Sequence, residues 1–148
     1  MKIIPQSNPI NIVGIEIRTN NTASFKDIPA HWQRFFQAGT MSQIPDKVSN
    51  DIYAVYTNFE NPGKSNEGTY TFIIGAEVSP SARVPDGLSS TVIPASKRVV
   101  FDVAAGHPEK VGEKWMEIWQ LDSFDKAYIS DYERYKESGE IEIHVGAK

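Results

Sequence analysis

Two stretches of this chain repeat the same helical pattern of large apolar residues at a constant offset. Ile28, Trp32, Phe35 and Phe36 stand at i, i+4, i+7 and i+8, and Val111, Trp115, Ile118 and Trp119 repeat that spacing 83 residues later. On a helix this spacing collects all four residues on one side. A helix striped in this way must bury its stripe against something else. Half of a 148-residue chain is too short to supply that partner surface alone. The chain is therefore expected to fold as a single domain over 1–148, built from two copies of one unit, at about 10–78 and 91–146.

The segments around the helices complete each unit. Ile10–Thr19 alternates in part and reads as a strand, with Gly14 a bulge or a point of close approach. Pro29 suits a helix entry better than an interior, which places the regular first helix at about Ile28–Ala38 after an irregular turn, with Gly39 as its stop. Residues 40–50 read as loop. Ile52–Thr57 is β-branched and aromatic, Thr69–Val78 is a second such run, and Asn61–Gly68 between them is rich in turn formers, so the pair reads as a hairpin. After the polar break 79–90, a second unit opens with Thr91–Pro94 and the strand Arg98–Ala105. The Trp115 helix follows, with Pro108 near its start, and then strands Tyr132–Lys136 and Glu140–Val145. The last strand alternates Ile141, Ile143 and Val145 with Glu140, Glu142 and His144, which predicts one wet face. Each unit is thus β-α-β-β. The expected fold is α+β: duplicated units in pseudo-two-fold relation, an antiparallel-rich sheet, both main helices on one face, and a ligand cleft between the halves.

Charge and composition exclude several classes of function. The net charge of −4 gives no basic field for nucleic acid, and without cysteine neither disulfides nor thiolate metal sites can form. The first residues lack the apolar centre of a signal peptide, and no apolar run approaches a membrane span, so a cytoplasmic location is expected. There is no Gly-x-Ser-x-Gly elbow, Walker loop or His-Glu-x-x-His. No metal or cofactor is expected. His31, His107 and His144 lack metal-ligand spacing and read as surface or loop residues. Glu113 and Glu117 read as a solvated helical face.

The segment Asp131-Tyr132-Glu133-Arg134-Tyr135 is the most informative for chemistry. In a strand, Asp131, Glu133 and Tyr135 share one face, and Tyr132 and Arg134 share the other. Two arrangements are open. Glu133 lies on an exposed strand and pairs with a neighbouring Lys or Arg, or it faces the helices, among Trp and Phe rings. A buried carboxylate without a partner is costly. It would favour an incoming flat cation, which aromatic faces also attract. Aromatic residues make up 11% of the chain. Trp32, Phe36, Tyr53, Trp115 and Trp119 are the candidate walls of such a pocket.

These pieces, in their order and spacing, resemble the GyrI-like effector-binding domain of AraC-type and MerR-type multidrug-responsive regulators, and within it the stand-alone form encoded on integron gene cassettes. The resemblance rests on Ile12–Thr19, Ile28–Trp32 with Phe35-Phe36, Ile52–Tyr56, Phe72–Gly75, Trp115–Trp119 and Tyr132–Tyr135, and spans nearly the whole chain. It implies a duplicated β-α-β-β fold with a cleft for lipophilic, often cationic, small molecules. The family's acidic residue falls on Glu133. The regulators of the family carry a helix-turn-helix domain for which this chain has no room, so direct DNA binding is not expected and transcription regulation would run through a separate DNA-binding partner. The oligomeric state, monomer or homodimer, is left open. Two alternatives come with the resemblance: a hydrolase of reactive electrophiles using Glu133 with a nearby Tyr, and a gyrase-interacting inhibitor.

Overall fold

A computed structural model describes the whole chain, Met1–Lys148. In chain order the strands are β1 (Lys2–Gln6), β2 (Ile10–Asn20), β3 (Ile52–Thr57), β4 (Thr69–Val78), β5 (Ser89–Ile93), β6 (Ser96–Val103), β7 (Ser130–Tyr135) and β8 (Ile141–Ala147). Helix α1 (Ser24–Gln37) and the short α2 (Thr40–Gln43) lie between β2 and β3. Helix α3 (Val111–Gln120), entered by a 3-10 turn at Pro108–Lys110, lies between β6 and β7.

The eight strands form one sheet in the order β1-β6-β8-β7-β3-β4-β2-β5, and every neighbouring pair is antiparallel. The repeat is visible in that order. The triplet β2-β4-β3 is mirrored by β6-β8-β7 about the central β3/β7 pair. In each triplet the helix connects two strands that are parallel to each other, with the third between them.

The short links force this sheet to roll. Ser7–Pro9 joins β1, first in the order, to β2, seventh. Three linker residues reach at most about 14 Å. Six strand spacings in a flat sheet would cover about 29 Å. The two edges must therefore come together, and Gln6 of β1 donates to the carbonyls of Ile93 (3.4 Å) and Pro94 (3.2 Å) at the end of β5. The roll encloses a helix-free core of Ile12, Tyr53, Val55, Ile73, Ile93 and Tyr132.

The other face carries the helices. Under α1, Phe35 packs on Ala54, Phe59, Tyr70, Phe72 and Ile74. Under α3, Val111, Trp115 and Ile118 pack on Val99, Phe101, Ile141, Ile143 and Val145. Burying a side chain such as Phe35 or Ile118 contributes roughly 2–3 kcal/mol. Tyr56 and Tyr135 touch both clusters and mark the line between the halves.

Several sequence expectations change. Helix α1 begins at Ser24, four residues early, and carries Pro29 inside it. Asn20 Oδ1 accepts the Ala23 N–H (2.8 Å), and the Ala23 carbonyl accepts from Lys26 and Asp27, so the first turn forms without Ile28. Loop 40–50 contains α2, entered from Gly39 at φ +61. Strand β5 does not open the second unit. It pairs with β2 of the first, while β1 crosses to pair with β6 of the second. Gly14 is a close approach: it lies opposite Gly75, and a Cβ on it would stand 2.0 Å from the Ile74 carbonyl oxygen.

His31 and His144 are buried, against the expectation of surface residues. On α1, His31 faces the sheet beside Phe35, and its Nε2–H donates to the Ile15 carbonyl (2.8 Å) while Nδ1 accepts from Arg34 (3.0 Å). His144 stacks on Tyr132 at 4.5 Å, with Arg98 on the same ring at 5.3 Å. The face of β8 expected to be wet is thus partly closed by the roll. His107 is exposed, as are Glu113 and Glu117.

Candidate functional site

The β3/β7 register decides which way the acidic segment points. Ala54 lies opposite Glu133, Tyr56 opposite Asp131, and Ile52 opposite Tyr135. These positions lie on the helix side of the sheet. Tyr132 and Arg134 lie on the rolled side with Tyr53 and Val55. Glu133 therefore sits beneath the two helices, 2% exposed.

Above it opens a cleft of about 530 Å³ between α1 and α3. The walls follow from the repeat. Trp32 of α1 meets the ring of Tyr135 edge-on at 5.1 Å, and Trp115 of α3 meets Tyr56 at 5.4 Å. Each helix thus packs its tryptophan on a tyrosine from the other unit's strand. Trp119 tilts against Trp115 (6.2 Å) at the rim, and Phe25, Ile28 and Met116 complete the apolar lining.

The floor is not symmetric. Glu133 occupies the place that Ala54 holds opposite it. Its Oε2 accepts from Tyr56 Oη (2.6 Å) and Trp115 Nε1 (2.8 Å), and its Oε1 accepts from Tyr135 Oη. All three donors are neutral, and no Lys or Arg forms an ion pair with it. Burial raises the Glu133 pKa above the ordinary carboxylate value, and the hydrogen bonds from Tyr135, Tyr56 and Trp115 pull the other way. Tyr56 and Tyr135 are pushed upward, first by burial and then by the adjacent carboxylate, so both phenols keep their protons. The result is a desolvated acid that is hydrogen-bonded but not neutralised. No three His, Asp or Glu side chains converge in a metal-holding group.

Of the six residues singled out from the sequence, the cleft brings together Glu133, Trp32, Trp115 and Trp119. Tyr53 is not in it. Its position one residue off the Ala54/Tyr56 face turns it into the rolled core, where it packs on Tyr132 (5.6 Å). Phe36 is also outside, 63% exposed. The cleft follows the first half of α1, and Phe36 lies a helical turn beyond Trp32. Sequence reasoning missed Tyr56, Tyr135, Phe25 and Asp131 as lining residues. Phe25 stands seven residues before Trp32, a spacing that identifies it once the helix is allowed to start before Pro29. Tyr56 and Tyr135 needed the β3/β7 register.

A helix-flanked aromatic cleft over a buried acid, on a sheet made of two related halves, is the architecture of an effector-binding domain. Within that class the chain belongs to the Cass2 family of integron-associated effector binding proteins, whose model matches residues 4–146. The fold is shared with the Vibrio cholerae integron cassette protein VCH_CASS2 (TM-score 0.75, 22% identity, covering 99% of this chain and 95% of that one). It is also shared with SAV2435, solved bound to tetraphenylphosphonium (TM-score 0.78, 18% identity, 99% and 93% covered). A third likeness is a putative bacterial transcription regulation protein from Staphylococcus aureus MU50 (TM-score 0.75, 18% identity, 99% and 97% covered). No curated protein matches the chain. No helix is long and apolar enough to cross a membrane.

Proposed function

We propose that this protein binds lipophilic cations in the cleft between α1 and α3, with Glu133 as the charge partner and Trp32, Trp115, Trp119, Tyr56 and Tyr135 as the aromatic walls. The observation that carries this reading is Glu133 itself: a carboxylate 2% exposed, held by three neutral donors and no cation, facing an apolar cleft. A bound cation supplies the missing charge, and the ring faces attract it further. An apolar cation is the best fit, because it loses little hydration on entering a greasy site. The tetraphenylphosphonium bound by SAV2435 is a ligand of this chemistry on the same fold.

Binding suits the geometry better than turnover. Both tyrosines hold their protons, and both carboxylate oxygens are engaged by donors, so neither a nucleophile nor a free base is poised. In the cell, the bound cation would be sensed through a separate DNA-binding partner. Titration with tetraphenylphosphonium, followed by tryptophan fluorescence and by calorimetry, tests the reading. Saturable one-to-one binding that weakens in Glu133→Gln supports it. Absence of binding, or affinity unchanged in that variant, overturns it.

A further inference from the structure

A second acid faces the same cleft, and the Glu133 mechanism leaves it unused. Asp131 precedes Glu133 by two residues on β7, on the same face, 8% exposed and lining the cleft. Its Oδ1 accepts the Gly146 N–H (2.8 Å). Its Oδ2 has no hydrogen-bond partner and is not fully enclosed, on a residue that lines the cleft. No Lys or Arg forms an ion pair with it.

We infer that Asp131 is a second anchor in the cleft, so that the site takes flat lipophilic dications whose charges are spaced to reach Asp131 and Glu133 together. The inference rests on the cation-binding reading above and specifies its ligand. Two residues of strand separate the anchors, roughly 7 Å. Tyr56 lies opposite Asp131 in register while its hydroxyl reaches Glu133, so an aromatic face bridges the two acids.

The surroundings of Asp131 make this anchor depend on pH. Burial pushes its pKa up to about 6, opposed by the Gly146 hydrogen bond and by the fields of Arg98 and Lys126. Arg98 comes from β6, where it is engaged with Gln6 and the Ser130 carbonyl. Lys126 and Tyr128 come from the 121–129 loop, and Lys126 is engaged with the Leu121 carbonyl. Tyr56 faces it from β3, Glu133 follows it on its own strand, and β8 and α3 offer no charged side chain to it. The anchor is ionised above pH 6 and is neutralised below.

Two probes of one shape separate the charges. Methyl viologen carries two ring nitrogens roughly one such anchor spacing, about 7 Å, apart. 1-Methyl-4-phenylpyridinium is its singly charged counterpart. At pH 7.5 the wild-type protein is expected to favour the dication about tenfold, and at pH 5 that preference shrinks. The ratio of the two affinities isolates Asp131, because Glu133 acts on both probes. Asp131→Asn retains the Oδ1 acceptor for Gly146 and is expected to bring the ratio near unity at both pH values. The wild-type pH profile needs no variant and tests the same point if Asp131→Asn fails to fold. A ratio near unity in the wild type, or one unchanged in Asp131→Asn, overturns the second anchor while leaving Glu133 binding intact. Failure of both probes to bind while tetraphenylphosphonium binds overturns the flat-dication reading alone, and failure of all three overturns both readings.

Discussion

Replacing Glu133 with Gln separates what the buried charge does for a ligand from what it does to the fold. Gln has the same shape and can still accept from Trp115 and one tyrosine, while the other tyrosine hydroxyl turns to accept from the amide. The lost quantity is the charge. A cation about 4 Å from the carboxylate gains about 4 kcal/mol at an effective dielectric of 20. Desolvating the cation offsets part of this, leaving roughly 2–3 kcal/mol, a 30- to 150-fold loss of affinity. Stability should move the other way. The Glu133 pKa is raised on folding, so the free energy it contributes is fullest when it is protonated at low pH and is lost as pH rises above 4.5. At pH 7 the unliganded wild type therefore carries a cost that Gln avoids. Glu133→Gln should melt higher there, by an amount on the order of 1 kcal/mol or about 3 °C. The gap should close as pH is lowered. Calorimetric titration with tetraphenylphosphonium and melting curves at two pH values check both halves. A variant that binds equally well, or melts lower at pH 7, would refute the account of Glu133 as an unneutralised charge.

Three further outcomes are expected. Trp115→Ala removes both a wall and a donor to Glu133 and should weaken tetraphenylphosphonium more than Trp32→Ala, whereas Phe36→Ala, outside the cleft, should leave affinity within about twofold as read by titration. Gly14→Ala drives a Cβ into the Ile74 carbonyl oxygen and should cost more than about 3 kcal/mol in urea unfolding. His31 and His144 are buried and their pKa values are lowered from 6.5, chiefly by burial. The unfolded chain takes up those protons first, so stability is lost as pH falls below 6.5. Replacing His31 with Gln should flatten that loss in melting curves taken from pH 7 to pH 5.

The duplicated unit, the two helices and most strands were legible in the sequence because they are local and periodic. A stripe at i, i+4 and i+7, or an alternation of two, reports its own burial. Spacing alone leaves Glu133 facing either solvent or the helices, and only the resemblance marks it as the acid of a cleft. Residue type alone offers Tyr53 and Phe36 as walls, but their placement depends on facts no single segment carries. Tyr53 needed the parity of β3 against β7, and Phe36 needed the extent of the cleft along α1. The burial of His31 and His144 is not legible in the sequence, because a polar side chain inside a stripe reads as buried only when its partner, such as the Ile15 carbonyl for His31, is known.

By itself, then, the sequence determined the element types and the repeat, since short-range spacing and side-chain chemistry decide those. Tertiary structure alone decided the exchange of β1 and β5 between the halves, the rolling of the sheet, and the meeting of Tyr56, Tyr135, Trp115 and Glu133. Those depend on pairings between residues far apart in the chain, such as Lys2 with Val100 and Gln6 with Pro94, and short links force such pairings only once the strand order is known.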